Sequence, residues 1–144
     1  MNISKALKVK NRLVGALKAL ELQAKTGNSI KEGQTRSIRL DKVWEDIEKT
    51  RSELIILKGK IALATSAITP KLAELAERKN EISFYEGISI NEGSTRDYEG
   101  DKVVSIKLIN FITEADKNDA VKKIQKVIDD LQDEIDEYNA STSV

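Results

Sequence analysis

Apolar residues recur every three or four positions along most of this chain, and that spacing predicts helices. Ile3, Leu7, Leu13, Val14, Leu17, Leu20 and Ala24 fall on one stripe, which predicts a first helix over residues 3–25. Gly27 stands where a left-handed cap would end it. Leu40, Val43, Ile47, Thr50, Leu54, Leu57, Ile61, Ala64 and Ile68 then form a sustained heptad seam, and Asp41 is placed to cap that second helix. Thr69-Pro70 reads as an N-cap followed by proline at the first helical position, so a third helix begins there and carries Leu72, Leu75, Ala76 and Ile82. Gly87 is placed to cap its end. From Asn118 onward, Val121, Ile124, Ile128, Leu131, Ile135 and Tyr138 form the clearest seam, and the closing "NASTSV" reads as a frayed tail.

Two stretches break the helical period, and they resemble each other. "SIKEGQTRSIRLDKV" begins at Ser29 and "SINEGSTRDYEGDKV" at Ser89. Residues 27–43 and 87–103 align without a gap and agree at ten of seventeen positions, an internal duplication. Gly33 and Gly93 suit a positive φ at the tip of a hairpin, and the flanking Ser, Ile, Thr and Arg suit short strands. Each copy therefore reads as a β-ribbon leaving the helices. "DKVVSIKLINFIT", residues 101–113, is rich in β-branched residues and reads as extended.

The duplicated segment has two readings. In the first it is a packing device: Glu32 with Arg36, and Glu92 with Arg96, pair on the surface, while Ile30 and Ile90 plug a core or a neighbouring subunit. In the second it is an anion site. Gly33 and Gly93 expose backbone N–H groups, Thr35 and Thr95 add hydroxyls, and Arg36 and Arg96 supply forked cations suited to phosphate. Phe84, Tyr85 and Tyr98 lie beside the second copy and offer faces on which a base would stack.

Composition narrows the chemistry. The chain has no histidine and no cysteine, which removes the commonest general base near neutral pH, thiolate nucleophiles and thiolate zinc sites. A Ser-His-Asp triad is excluded, and neither a Walker motif nor a dinucleotide fingerprint is present. Asp129, Asp130 and Asp133, like Glu74, Glu77 and Glu81, read as solvated helix faces rather than metal ligands. Lone Trp44 reads as packing. Lys and Arg balance Asp and Glu at 24 each, but the first twenty residues hold five bases and no acid, and residues 129–137 hold six acids and no base. A basic first helix lying beside the acidic last one, within or between subunits, accounts for this. Charges interrupt every apolar run, so neither a signal peptide nor a membrane span is expected.

The stretches "SIKEGQTR", "LKGKIALATSAITPKLAELAERKNEI" and "SIKLINFITEADKNDAVKKIQKVIDDLQDEIDEYNASTSV" resemble the septicolysin-like family of small, mainly helical bacterial proteins. That resemblance implies a helical fold and no settled activity. In size, helical character and type of site, with Arg and aromatic side chains on a ligand, the chain is also similar to the phage Thoeris anti-defence family, which sequesters nucleotide signals. No individual residue carries across.

The fold expected is mainly α, a long-helix, coiled-coil-like bundle with two short β-ribbon excursions around residues 28–40 and 88–109, in a single domain over residues 1–144. The function expected is that of a cytoplasmic, non-catalytic homo-oligomer that binds a small, phosphate-bearing, nucleotide-like ligand without cofactor or metal. The ligand residues would be Arg36, Arg96, Thr35, Thr95, Gly33, Gly93, Phe84, Tyr85 and Tyr98. Polymeric nucleic acid and membranes are not expected partners. The alternative is an assembly protein whose duplicated ribbons lock subunits together.

Overall fold

A computed structural model describes residues 1–91 and 93–144. The protein is mainly α with one two-stranded antiparallel ribbon. The order is α1 (Ile3–Gly27), α2 (Leu40–Thr65), a 3-10 turn (Ser66–Ile68), α3 (Thr69–Glu86), β1 (Gly93–Glu99), β2 (Lys102–Leu108) and α4 (Glu114–Ser141). The chain forms two compact units. One comprises Met1–Thr69 and Asp136–Val144, the other Pro70–Ile135. No helix is long and apolar enough to cross a membrane among the described residues.

In the first unit α1 and α2 lie antiparallel. Leu17 and Ala24 pack with Val43, Ile47 and Leu54, and Ala6 packs with Leu57 and Ile61. The heptad seam of α2 is thus its buried face. Alanine at positions 6 and 24 adds little side-chain bulk between the two helices. Arg51 of α2 reaches Glu21 of α1 at 2.8 Å across the same interface. Asn2 starts α1: its Oδ1 accepts the N–H of Lys5 at 2.9 Å. Such a cap satisfies one of the donors that a helix start leaves open.

The C-terminal tail is not frayed. The N–H of Ile3 donates to the carbonyl of Thr142 at 3.0 Å, and the N–H of Val144 to that of Met1 at 2.8 Å. Asn2 and Ser143 form an isolated antiparallel bridge, and Asn2 Nδ2 donates to the carbonyl of Ala140 at 2.9 Å. Polar composition suggests a loose end, but those residues answer the unpaired backbone donors at the start of α1. Tyr138 is half-buried, and its hydroxyl donates to the carbonyl of Ala64 at 2.9 Å.

In the second unit α3 and α4 run antiparallel, held at one end by the ion pair of Lys71 with Glu134 and at the other by Lys117 Nζ donating to the carbonyl of Glu86. Leu75 of α3 and Ile124, Ile128 and Leu131 of α4 are buried. Of the expected seam of the third helix only Leu75 is fully covered, while Leu72 and Ala76 are exposed. α4 begins four residues before the expected start at Asn118. Its first turn is set by Thr113, which accepts the N–H of Asp116 on its hydroxyl while its own N–H donates to the Asp116 carboxylate.

Two local expectations, at Gly27 and Asp41, fail for steric or hydrogen-bonding reasons. Gly27 does not adopt a left-handed conformation. Ile38 and Leu40 press over it, and an added Cβ would lie 3.4 Å from both, so its missing side chain makes room for the chain returning to α2. Gly87 does follow the last residue of α3, without a positive φ, and its N–H closes the last turn on Ser83 and Phe84. Asp41 lies inside the first turn of α2 rather than capping it. There the Arg39 guanidinium at 2.7 Å, and then the Lys42 N–H, hold its carboxyl below the usual carboxylate range.

The clasp of the termini draws Asn2 into three contacts, with Lys5, Ala140 and Ser143. Asn2→Ala removes a helix cap and the bond to Ala140 together. The expected loss is about 1–2 kcal/mol of unfolding free energy, read as a lower urea midpoint at unchanged slope.

Candidate functional site

The two copies of the duplicated segment fold differently. After Arg36 the first copy runs through Ser-Ile-Arg into α2, so no return strand exists to pair with it. What remains is a single turn. The N–H of Gln34 donates to the carbonyl of Lys31 at 3.1 Å, with Gly33 at φ +82° in the third position. That position of a type II turn requires positive φ, which glycine adopts without steric cost. The first excursion is therefore a loop and not a β-ribbon. Its Arg36 is engaged: a guanidinium nitrogen donates to the carbonyl of Asn28 at 2.6 Å, at the C-terminal end of α1. A cation there answers the exposed carbonyls and the negative end of the helix dipole. Beside it Thr35 and Arg36, with Ile30 and Ile38, line a hollow of about 650 Å³ that Arg39 and Asp41 also border.

The second copy is a ribbon, but its tip is not at Gly93. β1 and β2 pair from Gly93 with Leu108 to Glu99 with Lys102, leaving Gly100 and Asp101 as a two-residue loop. Gly100 has φ +65° and Asp101 a negative φ, the arrangement of a type II′ hairpin turn. Gly93, at φ +93°, opens β1 at the base of the ribbon. Glu92, whose pairing with Arg96 was one of the expectations, lies outside the described residues.

This register sorts the ribbon's side chains onto two faces, because alternate residues of a strand point to opposite sides. Ser94, Arg96 and Tyr98 share a face with their direct partners Lys107, Ser105 and Val103. Directly opposed residues stand about 5 Å apart and diagonal ones about 7–8 Å, so Arg96, Lys107, Ser94 and Ser105 are near neighbours on this face. Among the described residues no acid lies on this face. The opposite face carries Thr95, Asp97, Glu99, Lys102, Val104, Ile106 and Leu108. Thr95 thus points away from Arg96, and the expected partnership of the two side chains in one grip does not form. Ser94, Thr95, Arg96, Val103, Val104 and Ser105 border a hollow of about 520 Å³. Among the described residues the Arg96 side chain makes no hydrogen bond or ion pair.

The aromatic residues divide likewise. Phe84 and Tyr85, in the last turn of α3, contact each other edge to face with ring centroids 5.5 Å apart. Phe84 is 67% exposed. Tyr98 is 76% exposed and sits one pair from the ribbon's turn, with no ring contact among the described residues. The nine expected site residues therefore occupy three places: Gly33, Thr35 and Arg36 in the first loop; Gly93, Thr95, Arg96 and Tyr98 on the ribbon; Phe84 and Tyr85 at the end of α3. Lys107, Ser94 and Ser105 join Arg96 although sequence reasoning did not select them. The signal was present in Gly100-Asp101, a two-residue hairpin turn between two runs of strand-forming residues. Among the described residues no cluster of three acids could hold a metal ion, and Asp129 accepts instead from Gln125 at 2.9 Å.

No protein-family model matches the chain, and no curated protein or solved structure is significantly similar to it.

The two arginines of the duplicated motif should separate in a stability measurement. Arg36→Ala removes the bond to Asn28 and should cost about 0.5–1.5 kcal/mol. Arg96→Ala should stay within about 0.5 kcal/mol of the parent, as a surface change does where no partner is lost. Urea unfolding of the two variants side by side checks this.

Proposed function

We propose that the protein is a non-catalytic, homo-oligomeric binder of a small phosphate-bearing, nucleotide-like ligand, and that it acts in the cytoplasm by sequestering such a ligand. The observation that carries this reading is the ribbon face that Arg96, Lys107, Ser94 and Ser105 share, with no acid among the described residues and with Tyr98 beside them. A phosphate gains from this set two cations and two hydroxyl donors, and charge-assisted bonds of this kind contribute roughly 1.5–3 kcal/mol each. Tyr98 offers an exposed ring at the next pair on the same face, on which a base could stack. The lack of histidine and cysteine, and of any acid cluster fit for a metal among the described residues, leaves the face suited to holding rather than transforming a ligand. A balanced overall charge argues against a polymeric nucleic acid as partner, since phosphate backbones select strongly basic surfaces.

A second reading, assembly without a ligand, is favoured by one observation: Arg36 is spent on the end of α1. In that reading the repeated loop serves packing in the first copy and subunit contact in the second.

A thermal-shift screen against cyclic and linear nucleotides separates the two. A ligand at a hundred times its dissociation constant adds about 2.7 kcal/mol, a rise of several degrees in Tm. Arg96→Ala and Lys107→Ala should each weaken binding at least tenfold, while Asp97→Asn, on the other face, leaves it within about twofold. No shift with any nucleotide, or equal losses from both faces, would reject the ligand reading.

A further inference from the structure

Between α1 and α2, within the first unit, lies a hollow of about 300 Å³. Its apolar lining is Ala24 of α1 and Ile47 of α2, both buried in the seam that joins the helices. Alanine at position 24 leaves room that a larger side chain would fill. The ion pair of Glu21 with Arg51, at 2.8 Å, bridges the two helices beside it. Lys25 borders the hollow from α1 and Glu48 from α2, and both are exposed. Their charges are opposite, yet among the described residues neither side chain makes a hydrogen bond or ion pair.

Trp44 completes the lining. The sequence assigned this lone tryptophan to packing, but it is 50% exposed. Glu48 follows it by four residues, one turn along the same flank of α2, so a group resting on the indole has a carboxylate at hand. The face of an indole attracts cations, and tryptophan does so best of the aromatic residues.

The lining also restricts the charge of what it holds. It contains two acids, Glu21 and Glu48, and two bases, Lys25 and Arg51. A purely anionic guest would meet both acids, and a purely cationic one both bases. A guest with one charge of each sign can face Glu48 and Lys25 together while Glu21 and Arg51 keep each other. The volume is at the small end for ligand sites, which suits a molecule the size of an amino acid better than a nucleotide.

We infer that this hollow binds a small zwitterion with an apolar body, of the free amino acid class. Its ammonium group sits by the Trp44 ring and the Glu48 carboxylate, its carboxylate meets Lys25, and its apolar part covers Ala24 and Ile47. This site is additional to the anion face of the ribbon, which belongs to the second unit.

Trp44 is the only tryptophan, so its fluorescence reports on this hollow in the full chain. Titration with L-leucine and with L-phenylalanine should change that fluorescence saturably, with a midpoint in the millimolar range or below. Phenethylamine, which lacks the carboxylate, and phenylpropionate, which lacks the ammonium group, should each bind about fivefold more weakly than L-phenylalanine, as expected for the loss of an exposed ion pair. Lys25→Gln should erase the preference over phenethylamine, and Glu48→Gln the preference over phenylpropionate. Both variants should melt within a few degrees of the parent, since neither side chain has a partner to lose among the described residues. No saturable change with either amino acid, an analogue that binds as well as L-phenylalanine, or a variant that keeps the full preference each overturns the inference.

Discussion

The two-residue turn at Gly100-Asp101 is the constraint on which the candidate site depends. Residues alternate faces along a strand, so a pairing shifted by one position would send every side chain of one strand to the other side. With the turn at this position, Arg96 faces Ser105, and Ser94 faces Lys107. A tip at Gly93 would make Arg96 part of the outgoing arm of a different hairpin, with Ser94 in the loop and Lys107 beyond the pairing. The positive φ of Gly100 selects the first arrangement, since a side chain there would strain the backbone. One glycine thus determines which residues share a face with Arg96.

The helices depend on something simpler and were correspondingly legible. Val43, Ile47, Leu54, Leu57 and Ile61 are buried on α2, and Ile124, Ile128, Leu131 and Ile135 on α4, as their spacing predicts. Burial follows periodicity because one continuous face of each helix is covered. The short third helix follows it less well: Leu75 alone is fully buried, since a helix with fewer covered positions leaves periodic residues such as Leu72 in solvent. Ala6 is buried in the first unit yet drew no attention in the sequence, because a small residue weighs little in a hydrophobic pattern while mattering where helices pack.

Positive-φ glycines of the candidate site were legible in the sequence, and its geometry was not. Glycine needing positive φ was read correctly at Gly33 and Gly93, but neighbouring positions were then assigned by analogy between the copies. The analogy breaks at "DKV". In the first copy Asp41-Lys42-Val43 is followed by Trp44-Glu45-Asp46-Ile47, which extends a seam at helical spacing. In the second, Asp101-Lys102-Val103 is followed by Val104-Ser105-Ile106-Lys107, whose β-branched residues favour a strand. Identical tripeptides therefore take opposite structures because their downstream neighbours differ. The tail escaped for a related reason. Polar residues such as Thr142 and Ser143 carry no periodic signal, and their order comes from backbone pairing with residues at the opposite end of the chain.

The divergence of the copies also decides where a negative ligand would be held best. Arg36 lies at the carbonyl end of α1, where partial negative charge already draws on the guanidinium. An incoming phosphate must compete with that carbonyl, and releasing the arginine would leave the helix end without its partner. Asp41 adds a carboxylate to the same hollow, already paired with Arg39. Arg96 has no such commitment among the described residues, and Lys107 on the same face reinforces its field while Asp97 points away. The cost of preparing the site is therefore smaller at the ribbon, and its unbalanced charge larger. Although both copies contain the same Gly, Thr and Arg, the first fastens the loop to the end of α1, and the proposed anion would therefore meet less competition at the second.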